Sequence, residues 1–186
     1  KDMFLREKFN ISQVNDKTKV YVCLQTLMKF HPTFDIVIQG ILGFDANAIV
    51  IVLKDQNKPF WQMKLERRMV NSIVPSNTSS ICTSYGSDSS NCNILRASDR
   101  LIFLNQMPYQ DYLNLLYFAD ITLDPFPCGG GVTILESISC GTPFVTIGAL
   151  QTVPRLAEGI ARILKIDDIV IARNTTEYIE KAIKLA

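Results

Sequence analysis

The chain has 186 residues, 47% of them hydrophobic and 20% charged, with 19 Lys plus Arg against 18 Asp plus Glu and a net charge of +1. That balance describes a globular chain long enough for one domain with its own core. It gives no electrostatic reason to expect a nucleic-acid partner or an anionic membrane surface.

The longest apolar runs, such as Ala48–Leu53 and Phe144–Leu150, are far too short to cross a bilayer. No basic and apolar run near Lys1 reads as a secretion signal. Of five cysteines (Cys23, Cys82, Cys92, Cys128 and Cys140), Cys23, Cys128 and Cys140 lie at expected strand, loop and helix positions without zinc-type spacing. Cys82 and Cys92 bracket a polar stretch and are close enough in sequence to pair, but a reduced intracellular protein is the simpler reading. Glycosylation-type triplets at Asn10, Asn77 and Asn174 carry no weight unless the protein is secreted.

Along the chain, strand and helix patterns alternate. Val20–Cys23 is a short apolar run, and the apolar residues of Thr33–Phe44 recur at helical spacing. Ala48–Leu53 is a continuous β-branched run, as expected of a strand covered on both faces. A helix is expected over Phe60–Val74 with Trp61, Leu65 and Met69 on one side. From about 75 to 98 the chain turns rich in Ser, Asn, Thr and Gly, which predicts a disordered surface insert within one domain.

Further strands are expected at Arg100–Leu104, Asp120–Leu123 and Pro143–Ile147, and helices at Gln110–Phe118, Val132–Cys140 and Val153–Leu164. Ile169–Ala172 reads as a last extended run. Asn174 then caps a final helix, and Glu177 three residues on completes the sequence pattern of a capping box. Repeated crossovers of this length predict an α/β fold, a Rossmann-like parallel sheet flanked by helices.

Ligands of such sheets bind beyond the carboxyl ends of the strands. One strand end carries Gln25, Thr26 and Lys29. Another leads from Asp124 through Gly129, Gly130 and Gly131 into a helix that begins Val132-Thr133. Glycines before a helix let a ligand approach the backbone, and the free N–H groups and positive dipole end of the first turn favour phosphate. Glu136 lies one turn beyond Thr133 on the same face, where its carboxylate can accept both hydroxyls of a ribose. Read singly, each feature has an ordinary explanation: a tight turn, a solvated lysine, a helix-surface carboxylate, and an Asp124 that ends a strand. His31, the only histidine, reads as structural or exposed. Neither a dinucleotide-type glycine fingerprint nor a Walker-type lysine loop is present, which argues against a standard NAD or ATP site.

Three segments in register, Cys23–Pro32 (CLQTLMKFHP), Ala119–Glu136 (ADITLDPFPCGGGVTILE) and Gly141–Ile147 (GTPFVTI), resemble the O-linked N-acetylglucosamine transferase family. The similarity extends to its bacterial relatives and to plant SPINDLY. The resemblance implies the C-terminal half of a GT-B glycosyltransferase, a single domain spanning 1–186 that holds a nucleotide-sugar donor. It implies Lys29 at the donor diphosphate, Thr133 at the phosphate-binding helix start and Glu136 at the ribose. Gln25 and Thr26 fall at amide-bearing positions before the lysine, and Tyr112 stands where the animal enzymes place a histidine near the base. Where those enzymes have His-Thr-Thr, this chain has Gly131-Val132-Thr133.

The activity so implied is metal-independent, inverting transfer of N-acetylglucosamine from UDP-N-acetylglucosamine to a protein Ser or Thr. No cofactor is expected. The family's acceptor half and tetratricopeptide repeats lie outside this sequence, so the chain alone is expected to be inactive, and the compartment is expected to be cytoplasm or nucleus. GDP-fucose as donor, nucleotide-sugar epimerisation and a non-catalytic relict are the alternatives.

Overall fold

The computed structural model describes residues 2–12, 14–73, 97–148 and 155–186. The Ser-rich stretch with Cys82, Cys92 and the Asn77 triplet falls outside the described residues, as does the expected helix start at Val153. Six strands, β1 (Lys19–Cys23), β2 (Ala48–Leu53), β3 (Leu101–Leu104), β4 (Ile121–Leu123), β5 (Phe144–Ile147) and β6 (Ile171–Ala172), form one sheet. Every neighbouring pair is parallel, in the order β3-β2-β1-β4-β5-β6.

The helices are α1 (Asp2–Phe9), α2 (Pro32–Phe44), α3 (Pro59–Ile73), α4 (Tyr109–Phe118), α5 (Val132–Ser139), α6 (Arg155–Ile163), α7 (Asp167–Val170) and α8 (Thr175–Leu185). Alternate strand residues point to opposite faces. Tyr21, Cys23, Val50 and Val52 meet Phe34, Val37, Ile38 and Ile41 of α2, Leu65 and Met69 of α3, and Tyr178 of α8. Val20, Val22, Ile49 and Ile51 meet Leu5 of α1 and Leu115 and Leu116 of α4 on the other face. Both faces are therefore apolar, which is why the strands read as unbroken hydrophobic runs.

Three expectations need correction. Trp61 does not join Leu65 and Met69 in the core but is 64% exposed, while Gln62 beside it is buried. Ile169 and Val170 are helical, because Asp167 and Asp168 open a short turn at α7, and only Ile171 and Ala172 pair with β5. At α8, Asn174 Oδ1 accepts from Glu177 N at 2.9 Å as expected of a cap, but the Glu177 carboxylate accepts from the backbone N–H of Arg173, not of Asn174. Helix α1 carries no clear periodicity and is absent from the sequence reading.

Arg100 fixes the chain as it enters β3. Its buried guanidinium donates to the carbonyls of Asp45 at 2.8 Å and Ala48 at 3.1 Å, and to that of Leu42, so it caps the end of α2 and ties it to β2. Arg100→Ala removes all three bonds, leaving the Asp45 carbonyl only its bond from Ala48 N–H at 3.2 Å, and is expected to lower the unfolding free energy by ~3 kcal/mol. Arg100→Lys should recover only part of that, since a single ammonium cannot span three carbonyls. Urea midpoints at unchanged slope measure both; an unshifted midpoint in the Ala variant contradicts the role.

Candidate functional site

Strand β1 lies between β2 and β4, so the chain connections run outward in opposite directions from the β1–β4 pair. A crevice opens at such a reversal, outside the carboxyl ends of the two strands. Both segments singled out in the sequence border it. From β1 the chain passes through Gln25 and Thr26 into a 3-10 turn, Leu27–Lys29; from β4 it passes through Asp124–Gly131 into α5.

Lys29 spans the two. Its ammonium donates to Gln25 Oε1 at 2.8 Å and to the Gly129 carbonyl at 3.0 Å, 100 residues away in sequence. The backbone of Phe30 adds an isolated antiparallel bridge to Pro127. With two of three ammonium protons fixed, the half-buried Lys29 retains one donor.

Asp124 organises the loop from below. It is 1% exposed. One carboxylate oxygen accepts from the Gly130 N–H at 2.6 Å, the other from the Thr146 hydroxyl at 2.7 Å, and its backbone carbonyl accepts from the Tyr178 hydroxyl at 2.9 Å. Burial pushes the carboxyl up to about 6, against the opposing pull of the Gly130 and Thr146 bonds and the Lys29 charge. The glycines are a steric requirement here. A Cβ on Gly129 would lie 2.7 Å from Asp124 Oδ2, and one on Gly130 would lie 2.4 Å from Gln25 Nε2.

Gly131 precedes α5, and no side chain caps the helix. Its carbonyl accepts from Ile134 and Leu135 N–H, so the first-turn amides of Val132 and Thr133 remain at the positive end of the helix. One turn on, Glu136 is held by two phenols: Tyr109 donates to one oxygen at 3.0 Å and Tyr112 to the other at 2.7 Å. The two rings stack with centroids 5.9 Å apart and planes 17° from parallel. Burial, then the Glu136 contact, pushes the Tyr112 phenol well above its usual range, with a bond from Thr133 pulling the other way. A hollow of about 360 Å³ adjoins this cluster, lined by Leu53, Gln106, Met107, Tyr109, Tyr112 and Glu136.

The structure thus brings Gln25, Lys29, Gly129, Gly130 and Gly131 to the crevice and pairs Tyr112 with Glu136. Thr26 is exposed at the start of the 3-10 turn with no side-chain cap bond, and Val132 is exposed at the helix start. His31 caps α2, its Nδ1 accepting from Thr33 N at 3.3 Å, and takes no part in the crevice. Asp124, Thr146, Tyr178 and Tyr109 were not singled out as site residues. An acidic residue directly between a buried strand and a glycine run is a usable signal for the first; Tyr109 stands one helical turn before Tyr112. Among the described residues no three His, Cys, Asp or Glu side chains could hold a metal ion, and no helix is long and apolar enough to cross a membrane.

The parallel order with its crevice between β1 and β4 is the architecture of the C-terminal half of a GT-B glycosyltransferase. An O-GlcNAc transferase mutant of Thermobaculum terrenum superposes with a TM-score of 0.72 at 23% identity, covering 91% of this chain and 28% of that one. No family model matches the chain. A probable UDP-N-acetylglucosamine–peptide N-acetylglucosaminyltransferase SPINDLY of Solanum lycopersicum is 36% identical over 86 residues, 46% of this chain and 9% of that protein. The UDP-glucose:protein N-beta-glucosyltransferase of Actinobacillus pleuropneumoniae is 30% identical over 79 residues, 42% of this chain and 13% of that protein. Somewhat under half of the chain is therefore similar in sequence to SPINDLY and to a protein glucosyltransferase, and the chain spans about a tenth of the length of these proteins.

The buried Asp124 makes stability depend on pH. Its proton is bound more tightly in the folded than in the unfolded chain, so its contribution is greatest below ~4 and is lost as pH rises through about 6. Asp124→Asn keeps the shape and removes the charge. From pH 4 to pH 7.5 the variant should gain ~2 kcal/mol relative to the parent in urea unfolding. A pH-independent difference between the two contradicts a buried, titrating carboxylate.

Proposed function

We propose that this chain supplies the nucleotide-sugar site of a protein O-glycosyltransferase that moves N-acetylglucosamine from UDP-N-acetylglucosamine to a Ser or Thr hydroxyl. The observation that carries the reading is the Lys29 ammonium, fixed between the end of β1 and the Gly129 carbonyl at the mouth of an uncapped helix. On this reading its remaining N–H and the first-turn amides of Val132 and Thr133 serve the same diphosphate. The names of both sequence relatives pair a UDP-sugar with a peptide or protein, which supports the same reading.

In the reaction, the acceptor oxygen forms a bond to the anomeric carbon while the bond from that carbon to the diphosphate oxygen breaks. The electron pair departs with UDP, and the acceptor proton passes to a base or water supplied from outside this site. Charge grows on the leaving diphosphate, and Lys29 and the α5 amides are already oriented to receive it. No metal is required in this scheme, because the ammonium and the helix dipole take the neutralising role. Glu136 accepts the ribose hydroxyls in exchange for its tyrosine partners, and the base enters the hollow beside Tyr109 and Tyr112, where an aromatic face is available for stacking.

A UDP-glucose donor is the second reading, favoured by the 30% identity to the Actinobacillus enzyme. Calorimetric titration with UDP, UDP-N-acetylglucosamine, UDP-glucose, GDP and GDP-fucose separates the cases. UDP and one UDP-sugar should bind and GDP should not. Lys29→Ala should weaken binding about tenfold or more, ~1.4 kcal/mol, and Glu136→Ala by less, because a ribose there only replaces the two phenols. GDP-selective binding moves the function to fucosyl transfer, labelled-donor product analysis identifies an epimerase, and a folded chain that binds no nucleotide overturns the donor-site assignment.

A further inference from the structure

A second cavity, of about 640 Å³, opens on the other side of the 3-10 turn that carries Lys29, between that turn and α3. Its floor is apolar and fixed: Leu27, Phe30 and Leu65 are all buried and belong to the core under α2 and α3. Its walls are apolar and wet, with Met28 81% exposed and Trp61 64% exposed. Flanking them on α3, Phe60 and Met63 are exposed too. Large apolar groups gathered in one concave patch are unusual on a solvated surface and mark a place where something docks.

The charge around the cavity is of one sign. Arg68 closes one end, and its guanidinium is already satisfied by Asp35, at 2.8 and 3.0 Å, and by the Phe30 carbonyl at 2.8 Å. Lys58 and Lys64 are different: both line the cavity, both are exposed, and neither has an ion-pair partner among the described residues. Lys64 instead rests 4.4 Å from the centre of the Phe60 ring. Among the described residues no carboxylate lines the cavity. An apolar pocket with two uncommitted ammonium groups is complementary to an apolar side chain carried on an acidic backbone segment.

We propose that this cavity binds a polypeptide through an apolar anchor residue flanked by Asp or Glu, and that the bound segment is the acceptor. The acceptor role rests on the proposed transferase function; the peptide site itself does not. Met28 lines the cavity and its chain neighbour Lys29 borders the crevice, so the two sites share one 3-10 turn. The tyrosine-lined hollow opens on the opposite face of the sheet, which keeps peptide and base apart.

Trp61 is the single tryptophan of the sequence, so its emission reports occupancy directly. The probe is a synthetic peptide with one Leu between acidic residues, a Ser nearby and no aromatic residue. Its titration into the whole chain should give a saturable blue shift. Peptides with Ala for the Leu, or Lys for the acidic residues, should bind about tenfold more weakly or worse, as should the acidic peptide to the doubly substituted Lys58→Glu, Lys64→Glu protein. The same double variant should bind UDP as the parent does. Equal responses to the acidic and basic peptides overturn the proposal. So does a blue shift that grows with protein concentration alone, which assigns the face to a second copy. A peptide response without any UDP binding leaves this site standing and removes the transferase reading instead.

Discussion

The Asp124 carboxylate is taken out of water at the point where the β4 strand gives way to the glycine loop, and much of the site depends on how that cost is met. A buried carboxylate is tolerated only where hydrogen bonds and nearby positive charge replace the lost solvent. Here the replacements come from three places in the chain: the Gly130 amide, the Thr146 hydroxyl on β5 and the field of Lys29 after β1. The backbone carbonyl of the same residue accepts from the Tyr178 hydroxyl on α8, so one residue ties together the loop, the neighbouring strand and the last helix. Gly129 and Gly130 follow from the same constraint, because a side chain at either would meet Asp124 or Gln25. The loop shape is a consequence of a buried charge.

Around that strut, the sheet divides the surroundings. Alternate residues of β1 and β2 feed two separate cores, one under α2, α3 and α8 and one under α1 and α4. The first core carries the floor of the apolar cavity beside Trp61. The second carries the backing of Tyr112 and the hollow beside Glu136. Two concave surfaces of different chemistry thus arise on opposite faces, joined at the edge where Lys29 sits. No extra element is needed to build either one: the hollow uses the start of α4 with Glu136 of α5, and the cavity uses the 3-10 turn after β1 with the face of α3 from Trp61 to Arg68.

This arrangement explains what the sequence could and could not reveal. Ala48–Leu53 was legible to the residue because a strand covered on both faces must be apolar throughout. Lys29 and the glycine run were legible because chemistry concentrates at strand ends. Ile169 and Val170 misled, since β-branched residues signal strand while the preceding Asp167 and Asp168 favour a helical first turn. Trp61 misled because helical spacing places it near Leu65 without saying that the wall beside it lacks a cover. Asp124 has the same letter whether it merely ends a strand or carries a buried network, and only the partners from β5 and α8 distinguish the two. Tyr109 needed the same long-range information: Glu136, its partner, is 27 residues away and on another helix.

The two ends of the crevice differ in what a ligand must displace. At the lysine end, the bonds from Lys29 to Gln25 and Gly129 hold the ammonium in place and still leave one proton for a phosphate oxygen. A diphosphate there adds an interaction without breaking one, which is the condition for a preorganised charge to act at full strength. At the carboxylate end, both oxygens of Glu136 are already occupied by phenols. A ribose there trades one pair of hydrogen bonds for another, so its gain is only the difference between them. Affinity for a nucleotide diphosphate would then come chiefly from the phosphate side. On the proposed reading the stacked tyrosines would govern which nucleotide can make the exchange, because the base would have to fit beside the rings whose hydroxyls the ribose replaces. Nucleotide selectivity would then rest on Tyr109 and Tyr112 rather than on Lys29.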